Sequence, residues 1–271
     1  MENKNGNEYV LGVNEYELER LEFQNGVWKE YTNKFFDRLD IKKGWKVLDV
    51  GSGPGFVAMD LRERVGDSGE VTILEPAEYY LNYFKEHCRK NKISNTRYIS
   101  GTAEKAELQK NYYDFIFARW VIGFVPDPDF FLDKLVGALA PGGIIAFQDY
   151  AYEGLAIYPR GGAFEKMADA VRAYWRLEGG DPYIAAKLPK MFKDRGIKLI
   201  DYTPISRAGT PDSPVYEWAH RFFNVHIQEM ADKGIIDQNL ADEMHNDWLE
   251  HRNNPDSIFF SPIVVDAAGR I

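Results

Sequence analysis

The sequence has very little cysteine, no long apolar run and no excess of basic side chains. Cys88 is the only cysteine in 271 residues, which excludes an intramolecular disulfide and fits a reducing, cytoplasmic compartment. No apolar signal region and no stretch long enough for a membrane helix occurs, so no membrane association is expected. Lys and Arg number 33 against 42 Asp and Glu, and the net charge of −9 disfavours nucleic acid as a partner.

Residue patterns typical of two common kinds of catalysis are also missing from the sequence. No group of His, Cys and acidic residues has the spacing of metal ligands, so no metal is expected. No Gly-x-Ser-x-Gly turn occurs, which excludes the nucleophile elbow of the α/β-hydrolases. The five histidines are scattered, and an isolated histidine more often packs or faces solvent than it takes part in catalysis.

What the chain does contain is an apolar strand that runs directly into a glycine-rich turn. The strand is 47–50, the turn holds Gly51, Gly53 and Gly55, and residues 56–65 have helical apolar spacing. Glycine lets the backbone bend sharply and lie against a ligand, because it has no Cβ. Strand, turn and helix together predict the nucleotide-binding corner of a doubly wound α/β sheet, although the glycines alone also fit a simple tight turn.

A second strand, residues 70–74, ends at an acidic residue. Glu75 lies 24 residues after Gly51. At about that spacing an acidic side chain accepts hydrogen bonds from ribose hydroxyls. The corner is therefore predicted to hold an adenosine-type cofactor, and both NAD and S-adenosylmethionine satisfy these two features.

Five motifs in a fixed order separate these two cofactors. They are VLDVGSGPG, the acidic end of VTILEP, GTAE, YYDFIFARWVIGFVPDP and LAPGGIIAF. Over about residues 40 to 150 the chain resembles the class I S-adenosylmethionine-dependent methyltransferases, and within them a subgroup related to the ubiquinone and menaquinone methyltransferases. The resemblance implies a doubly wound α/β fold with a seven-stranded, mostly parallel, Rossmann-like sheet. It also implies S-adenosyl-L-methionine as the cofactor, so an NAD-dependent oxidoreductase is disfavoured.

The resemblance also implies which residues touch the cofactor. The glycine turn would line its methionine part, Glu75 would hold the ribose, and residues after the second and third strands would border the adenine. Helices that precede the first strand would lie over it as a lid. The implied cofactor-binding residues are Gln24, Tyr31, Gly51, Ser52, Gly53, Glu75, Pro76, Thr102, Ala103, Glu104, Arg119 and Trp120.

The predicted organisation has three parts. Residues 1–40 form the N-terminal helical lid, with a loose arm over 1–13, and residues 41–210 and 256–271 form the methyltransferase domain. Residues 211–255 form a helical substrate cap between a sixth strand at 197–205 and a seventh at 259–267. The cap is rich in aromatic residues, which suggests a substrate with an apolar body, although core packing is the alternative for each ring.

Methyl transfer from a sulfonium is an in-line displacement, so the protein must align the acceptor atom, the methyl carbon and the sulfur. A base is needed only where the acceptor must lose a proton. Asp149, at the end of the fifth strand, and His220, in the cap, are the candidates for that base, with capping or packing as the alternative. Tyr150, Tyr152 and Phe223 are predicted to contact substrate.

The sequence therefore predicts a methyltransferase that acts on an O or N atom of a small, partly apolar molecule, as a monomer or homodimer. The alternative is an S-adenosylmethionine-binding protein without methyl transfer, either regulatory or using the cofactor structurally. Formation of S-adenosylhomocysteine with some acceptor distinguishes the two.

Overall fold

The computed structural model describes residues 15–271, which divide into two compact units. The first unit ends at Leu108, and the second is Gln109–Ile271. The arm predicted over residues 1–13 lies outside the described residues. Among residues 15–271, no helix combines the length and the apolar character that crossing a bilayer requires.

The first unit alternates helices with parallel strands. Its strand order is β3-β2-β1, with Lys46 opposite Glu70 and Glu75 opposite Ser100. The apolar run of the first two strands is buried almost throughout, as expected of a parallel sheet covered on both faces. The elements are α1 (Glu15–Leu39), β1 (Lys46–Val50), α2 (Phe56–Val65), β2 (Glu70–Glu75), α3 (Glu78–Lys90) and β3 (Thr96–Ser100).

The second unit holds four strands in the order β4-β5-β10-β7, together with a small sheet in the order β6-β9-β8. Strands β4 and β5 are parallel, and β10 is antiparallel to both of its neighbours. The strands are β4 (Tyr113–Arg119), β5 (Leu139–Ala151), β6 (Ala156–Tyr158), β7 (Lys198–Ile205), β8 (Ala208–Gly209), β9 (Ile258–Phe260) and β10 (Ile263–Arg270). The helices are α4 (Pro128–Ala138), α5 (Met167–Leu177), α6 (Ile184–Asp194), α7 (Pro214–Asp232) and α8 (Gln238–Asn253).

The predicted fold class is confirmed. Three strands in one unit and four in the other make the seven expected, mostly parallel and joined by helices. The part of the predicted lid that the structure describes is helix α1, and the predicted cap contains α7 and α8. The division into lid, domain and cap remains a prediction.

The prediction of one continuous last strand over 259–267 is wrong. The structure divides it into β9, in the small sheet, and β10, in the large one. Pro262 lies between them, and proline has no N–H to donate to a strand ladder. Two partners of β9 were not predicted, because β6 has three residues and β8 has two, too few for a recognisable alternation.

Candidate functional site

The glycine turn after β1 has the backbone that its sequence predicts. Gly53 and Gly55 adopt positive φ angles of 53° and 83°, which favour glycine. A Cβ on Gly55 would lie 2.2 Å from Cδ2 of Phe84, so this glycine is needed for close packing against α3. A Cβ on Gly53 would meet no described heavy atom within 4 Å, so its surroundings leave room for a ligand to approach the backbone.

Glu75 lies directly against this turn. Its Oε2 accepts a hydrogen bond of 2.8 Å from Gly53 N, and its Oε1 accepts one of 2.9 Å from Ala77 N. The residue is 1% exposed, and burial raises the pKa of its carboxyl although the two backbone donors oppose that shift. Each carboxylate oxygen has a second lone-pair site, so Glu75 retains the capacity to accept hydroxyl groups.

The turn after β3 approaches the same corner. Gly101 N donates to the backbone oxygen of Glu75 at 3.2 Å, and the next residues form a turn in which Thr102 O accepts from Ala106 N. Ala103 is buried, and Thr102 and Glu104 are half-buried. This unit therefore brings together the sequence-predicted residues 51–53, 75 and 102–104.

These residues fit an adenosine-type cofactor. The hydroxyl of Ser52 is buried beside the glycine turn and has no hydrogen-bond partner among the described residues. An unpaired buried hydroxyl is costly, and a polar ligand at the turn would satisfy it. Pro76, which follows Glu75, is exposed.

Helix α1 carries a buried ion pair that sequence analysis missed. Arg20 donates from Nε and Nη2 to the two carboxylate oxygens of Glu17, both at 2.7 Å, and from Nη1 to Gln24 at 3.0 Å. The charges of Glu17, Arg20 and Glu75 all influence the pKa of the Tyr80 hydroxyl, so the ion pair and the acid of the glycine corner lie near the same side chain. The spacing of Glu17 and Arg20 allows a helical pair, but nothing local in the sequence shows that the pair is buried.

The other α1 residues divide between packing and the surface. Trp28 is fully buried, whereas Gln24 and Tyr31 are half-buried. The Tyr31 ring lies 6.0 Å from the Trp28 ring, and Gln24 bonds to Arg20. Contact of Gln24 and Tyr31 with the cofactor therefore remains a prediction.

In the second unit, the residue after β4 has an unusual backbone. Trp120 has a φ of 56°, a left-handed conformation that costs a residue with a side chain about 1–2 kcal/mol. Its ring stacks on that of Tyr150, with centroids 5.9 Å apart and planes at 17°. The guanidinium carbon of Arg119 lies 4.9 Å from the Trp120 ring. A bulky side chain held in this conformation marks a position where surrounding contacts outweigh the strain.

Asp149 supplies some of those contacts. Its Oδ2 accepts hydrogen bonds from Val121 N at 3.1 Å and Gly123 N at 3.3 Å, and its Oδ1 accepts one from Tyr150 N at 2.8 Å. Hydrogen bonds to a charged group contribute about 1.5–3 kcal/mol, comparable with or larger than the strain at Trp120. Asp149 is 1% exposed, and burial raises its pKa to about 6. This burial and these bonds disfavour the predicted role of direct base.

The aromatic residues around Asp149 form a continuous cluster. Tyr150 lies 5.0 Å from Trp175, and Tyr152 lies 4.7 Å from the same ring on α5. Tyr150 and Tyr152 are both largely buried, while Phe124, which also contacts Trp175, is exposed. Of the predicted substrate contacts, Tyr150 therefore lies against the half-buried Trp120, and Tyr152 lies deeper.

Of the two residues of α7 that were predicted to act in the site, Phe223 is buried and His220 is half-buried. Phe223 is 2% exposed and contacts the rings of Phe164, Trp248 and Phe259. His220 Nδ1 accepts a hydrogen bond of 3.0 Å from Trp248 Nε1, so a neutral His220 carries its proton on Nε2. Burial lowers the pKa of His220, and the positive charge of Arg252 adds to that effect. This environment disfavours a direct role for either side chain, and both roles remain predictions.

The chain matches known methyltransferases in sequence and in fold. A family model described as a methyltransferase domain matches residues 41–203. A ubiquinone/menaquinone biosynthesis C-methyltransferase of Idiomarina loihiensis is 26% identical over 197 residues, covering 65% of this chain and 74% of that protein. That relative is named for methylation at carbon.

Solved structures show the same fold. A structure from Bacillus halodurans C-125, named as a methyltransferase, aligns with a TM-score of 0.61 at 18% identity over 88% of this chain and 97% of its own. Phosphoethanolamine N-methyltransferase 2 of Haemonchus contortus, in complex with S-adenosyl-L-methionine, aligns with a TM-score of 0.53 at 19% identity over 88% and 52%. The family model covers more than half of the chain, so this protein belongs to the methyltransferase domain family and is an enzyme whose cofactor is S-adenosylmethionine.

Proposed function

We propose that this enzyme transfers a methyl group to an oxygen or nitrogen atom of a small, partly apolar acceptor that carries a flat ring. The observation that carries this proposal is the Trp120–Tyr150 stack, because two rings at successive strand ends offer a flat apolar surface. Arg119 beside Trp120 favours an acceptor with a partial or full negative charge over a cationic one.

The cofactor-binding residues follow from the corner in the first unit. S-adenosylmethionine, when bound, supplies a methyl group activated by attachment to a sulfonium. Backbone groups of Gly51 and Gly53 and the hydroxyl of Ser52 would hold its polar end, and Glu75 would accept the ribose hydroxyls. We propose the same roles for the remaining residues that the family resemblance implies, namely Gln24, Tyr31, Pro76, Thr102, Ala103, Glu104, Arg119 and Trp120.

We propose an acceptor atom that needs no protein base, because Asp149 is not available to act as one. Its carboxylate is buried and accepts three backbone N–H groups. A neutral amine or an ionised phenol needs no protein base before it attacks a methyl carbon. These acceptors therefore suit the site better than one that must lose a proton in the reaction.

Carbon methylation is the second candidate, because the relatives in the ubiquinone and menaquinone group are named C-methyltransferases. A ring carbon made nucleophilic by an ionised hydroxyl would use the same flat surface. The position of the transferred methyl group distinguishes the two candidates.

We further propose that the partner is a small molecule rather than nucleic acid, and that the enzyme acts in the cytoplasm as a monomer or homodimer. The net charge of −9 supports the first point, because nucleic-acid surfaces need a basic footprint. The single cysteine supports the second.

The test is formation of S-adenosylhomocysteine with defined acceptors. The panel contains catechol, aniline and naphthohydroquinone as ring acceptors, with ethanolamine and glycine as acceptors without a ring. Turnover with a ring acceptor, and a methyl group found on oxygen or nitrogen by NMR, is expected. A methyl group on a ring carbon would select the second candidate, and turnover with ethanolamine or glycine alone would overturn the proposed acceptor class.

A further inference from the structure

We propose that Asp149 is a positioning residue: its carboxylate holds the Val121–Gly123 turn and thereby fixes Trp120 against Tyr150 as the surface that receives the acceptor. The inference rests on the proposed function for the identity of that surface. The placement of Trp120 by Asp149 stands on geometry alone.

Two hydrogen bonds hold the backbone on either side of Trp120. Trp120 N donates to Gln148 O at 2.9 Å, which ties the end of β4 to the residue immediately before Asp149. Trp120 then turns into the left-handed region, and the next N–H, that of Val121, points at Asp149 Oδ2. The two bonds hold the backbone on both sides of the Trp120 α-carbon, so the direction of its Cα–Cβ bond is fixed.

Gly123 is closely packed in the same turn. Its N–H donates to Asp149 Oδ2, and its carbonyl accepts a bond of 2.7 Å from Asp181 N. A Cβ at this position would lie 3.0 Å from Asp149 Oδ1 and 3.3 Å from Cγ2 of Ile184. The turn has both backbone polar groups of Gly123 engaged and close contacts at its α-carbon, so it is tightly confined, and Asp149 is central to it.

The Asp149 side chain is chemically matched to the donors around it. Three N–H groups converge on Asp149, and a carboxylate presents only acceptors to them. An asparagine of the same size would turn its NH₂ group toward at least one of those donors, which leaves two donors facing each other. Asp149→Asn therefore disturbs the turn without removing volume from the core.

Fluorine NMR tests the placement of Trp120. The protein is labelled with 5-fluorotryptophan, which gives six signals for its six tryptophans, and Trp120→Phe identifies the Trp120 signal. We expect Asp149→Asn to shift or split that signal while those of the tryptophans outside the aromatic cluster, Trp28, Trp45, Trp218 and Trp248, stay within their normal line width. Gly123→Ala, which presses a methyl group against Asp149 from the turn, should move the same signal.

Kinetics test the consequence for the reaction. With the ring acceptor of highest turnover in the panel above, Asp149→Asn should raise the KM for that acceptor at least tenfold and change kcat less than threefold. The Kd for S-adenosylhomocysteine should rise by a smaller factor than the KM for the acceptor, because Trp120 is only one of several proposed cofactor contacts. Asp127→Asn is the matched control, because Asp127 also accepts a backbone N–H after β4, from Phe130 at 2.9 Å, but is exposed.

The outcomes are separable. An unmoved Trp120 signal in both Asp149→Asn and Gly123→Ala overturns the positioning role. Where only one of the two variants folds, an unmoved signal in that variant overturns it. A fall in kcat with an unchanged KM would make Asp149 a direct participant and would also overturn it. Absence of turnover with every ring acceptor counts against the proposed function, and the fluorine signals then decide the placement of Trp120 independently.

Discussion

The backbone N–H of Gly53 donates a hydrogen bond of 2.8 Å to the carboxylate of Glu75, which joins the glycine turn after β1 directly to the acid that ends β2. The two residues are 22 positions apart in the chain, and they follow and end two adjacent parallel strands, β1 and β2 respectively. The bond gives Glu75 a fixed orientation and makes the turn and the acid one structural element.

Removing the Glu75 carboxylate should weaken binding of the cofactor. A hydrogen bond between a carboxylate and a ligand hydroxyl contributes about 1.5–3 kcal/mol, so Glu75→Ala should raise the Kd for S-adenosylhomocysteine between about tenfold and a hundredfold. Isothermal titration calorimetry measures the change. Glu70→Gln is the matched control, because Glu70 begins the same strand but pairs with Arg97 at 2.7 Å. Equal affinity in Glu75→Ala and Glu70→Gln would remove Glu75 from the cofactor site.

Gly53 and Gly55 should respond differently to alanine. Gly55→Ala places a methyl group into the Phe84 ring and should lower the free energy of unfolding by about 1–3 kcal/mol, in addition to backbone strain. Gly53→Ala meets no described atom, so its cost to stability should be limited to a left-handed alanine, about 1–2 kcal/mol.

Urea unfolding measures both stabilities, and calorimetry with S-adenosylhomocysteine measures both affinities. Gly53→Ala should lose the larger share of affinity, and Gly53→Val should abolish binding, because the ligand must approach this backbone closely. Phe84→Leu added to Gly55→Ala should recover part of the lost stability. Full affinity in Gly53→Val would show that the ligand does not approach this face of the turn.

His220 should act through the packing of α7 against α8 rather than as a base. His220→Leu leaves the indole N–H of Trp248 without its acceptor and should lower the free energy of unfolding by about 1–3 kcal/mol. His220→Gln retains an acceptor oxygen and should cost less. His245→Gln serves as the control, because His245 is a half-buried neighbour on α8. A fall of kcat of more than a hundredfold in His220→Gln with unchanged stability would restore the role of base.

Asp149 should make the folded state less stable as pH rises from about 4 to 6. Burial raises its pKa from 3.8 to about 6, so the folded protein binds this proton more tightly than the unfolded chain does. Its contribution to stability is therefore fully present below pH 3.8 and lost as pH rises through about 6. The full effect is on the order of 3 kcal/mol.

The measurement is the difference in unfolding free energy between wild type and Asp149→Asn, taken by urea unfolding between pH 4 and 7.5. Asparagine does not titrate, so other carboxyl groups cancel in the difference. Wild-type stability relative to the variant should fall with rising pH and level off above pH 6.5. A difference that rises with pH would mean that the three backbone donors outweigh burial and hold the pKa below its ordinary value.

The corner that joins the glycine turn to Glu75 could be predicted because its parts are close in the chain. The apolar strand, the glycine turn and helix α2 occupy residues 46–65 without interruption, and the acid ends the next strand, β2. Local steric rules and the short connections of α/β folds then fix how these elements meet. The ion pair of Glu17 with Arg20 was missed although it is local, because burial depends on what covers the helix.

The roles of Asp149 and His220 depend on partners that local patterns do not specify. Asp149 meets N–H groups 26 and 28 residues earlier in the chain, and His220 meets the Trp248 indole 28 residues later. A carboxylate at a strand end and a histidine on an amphipathic helix are equally compatible with catalysis and with packing. Burial and the identity of the donor decide between these roles, and both arise only when distant segments come together.

The sequence by itself determined the fold class, the positions of the first strands along the chain, and the glycine turn with the acid that follows it. Backbone preferences of glycine and the periodicity of apolar residues act over a few positions, so they are legible in the chain. Tertiary structure decided that Trp120 has a left-handed backbone, that Pro262 separates two strands of different sheets, and that Asp149 is enclosed by N–H donors. Each of these depends on packing between segments far apart in sequence, where the free energy of burial and hydrogen bonding outweighs local preference.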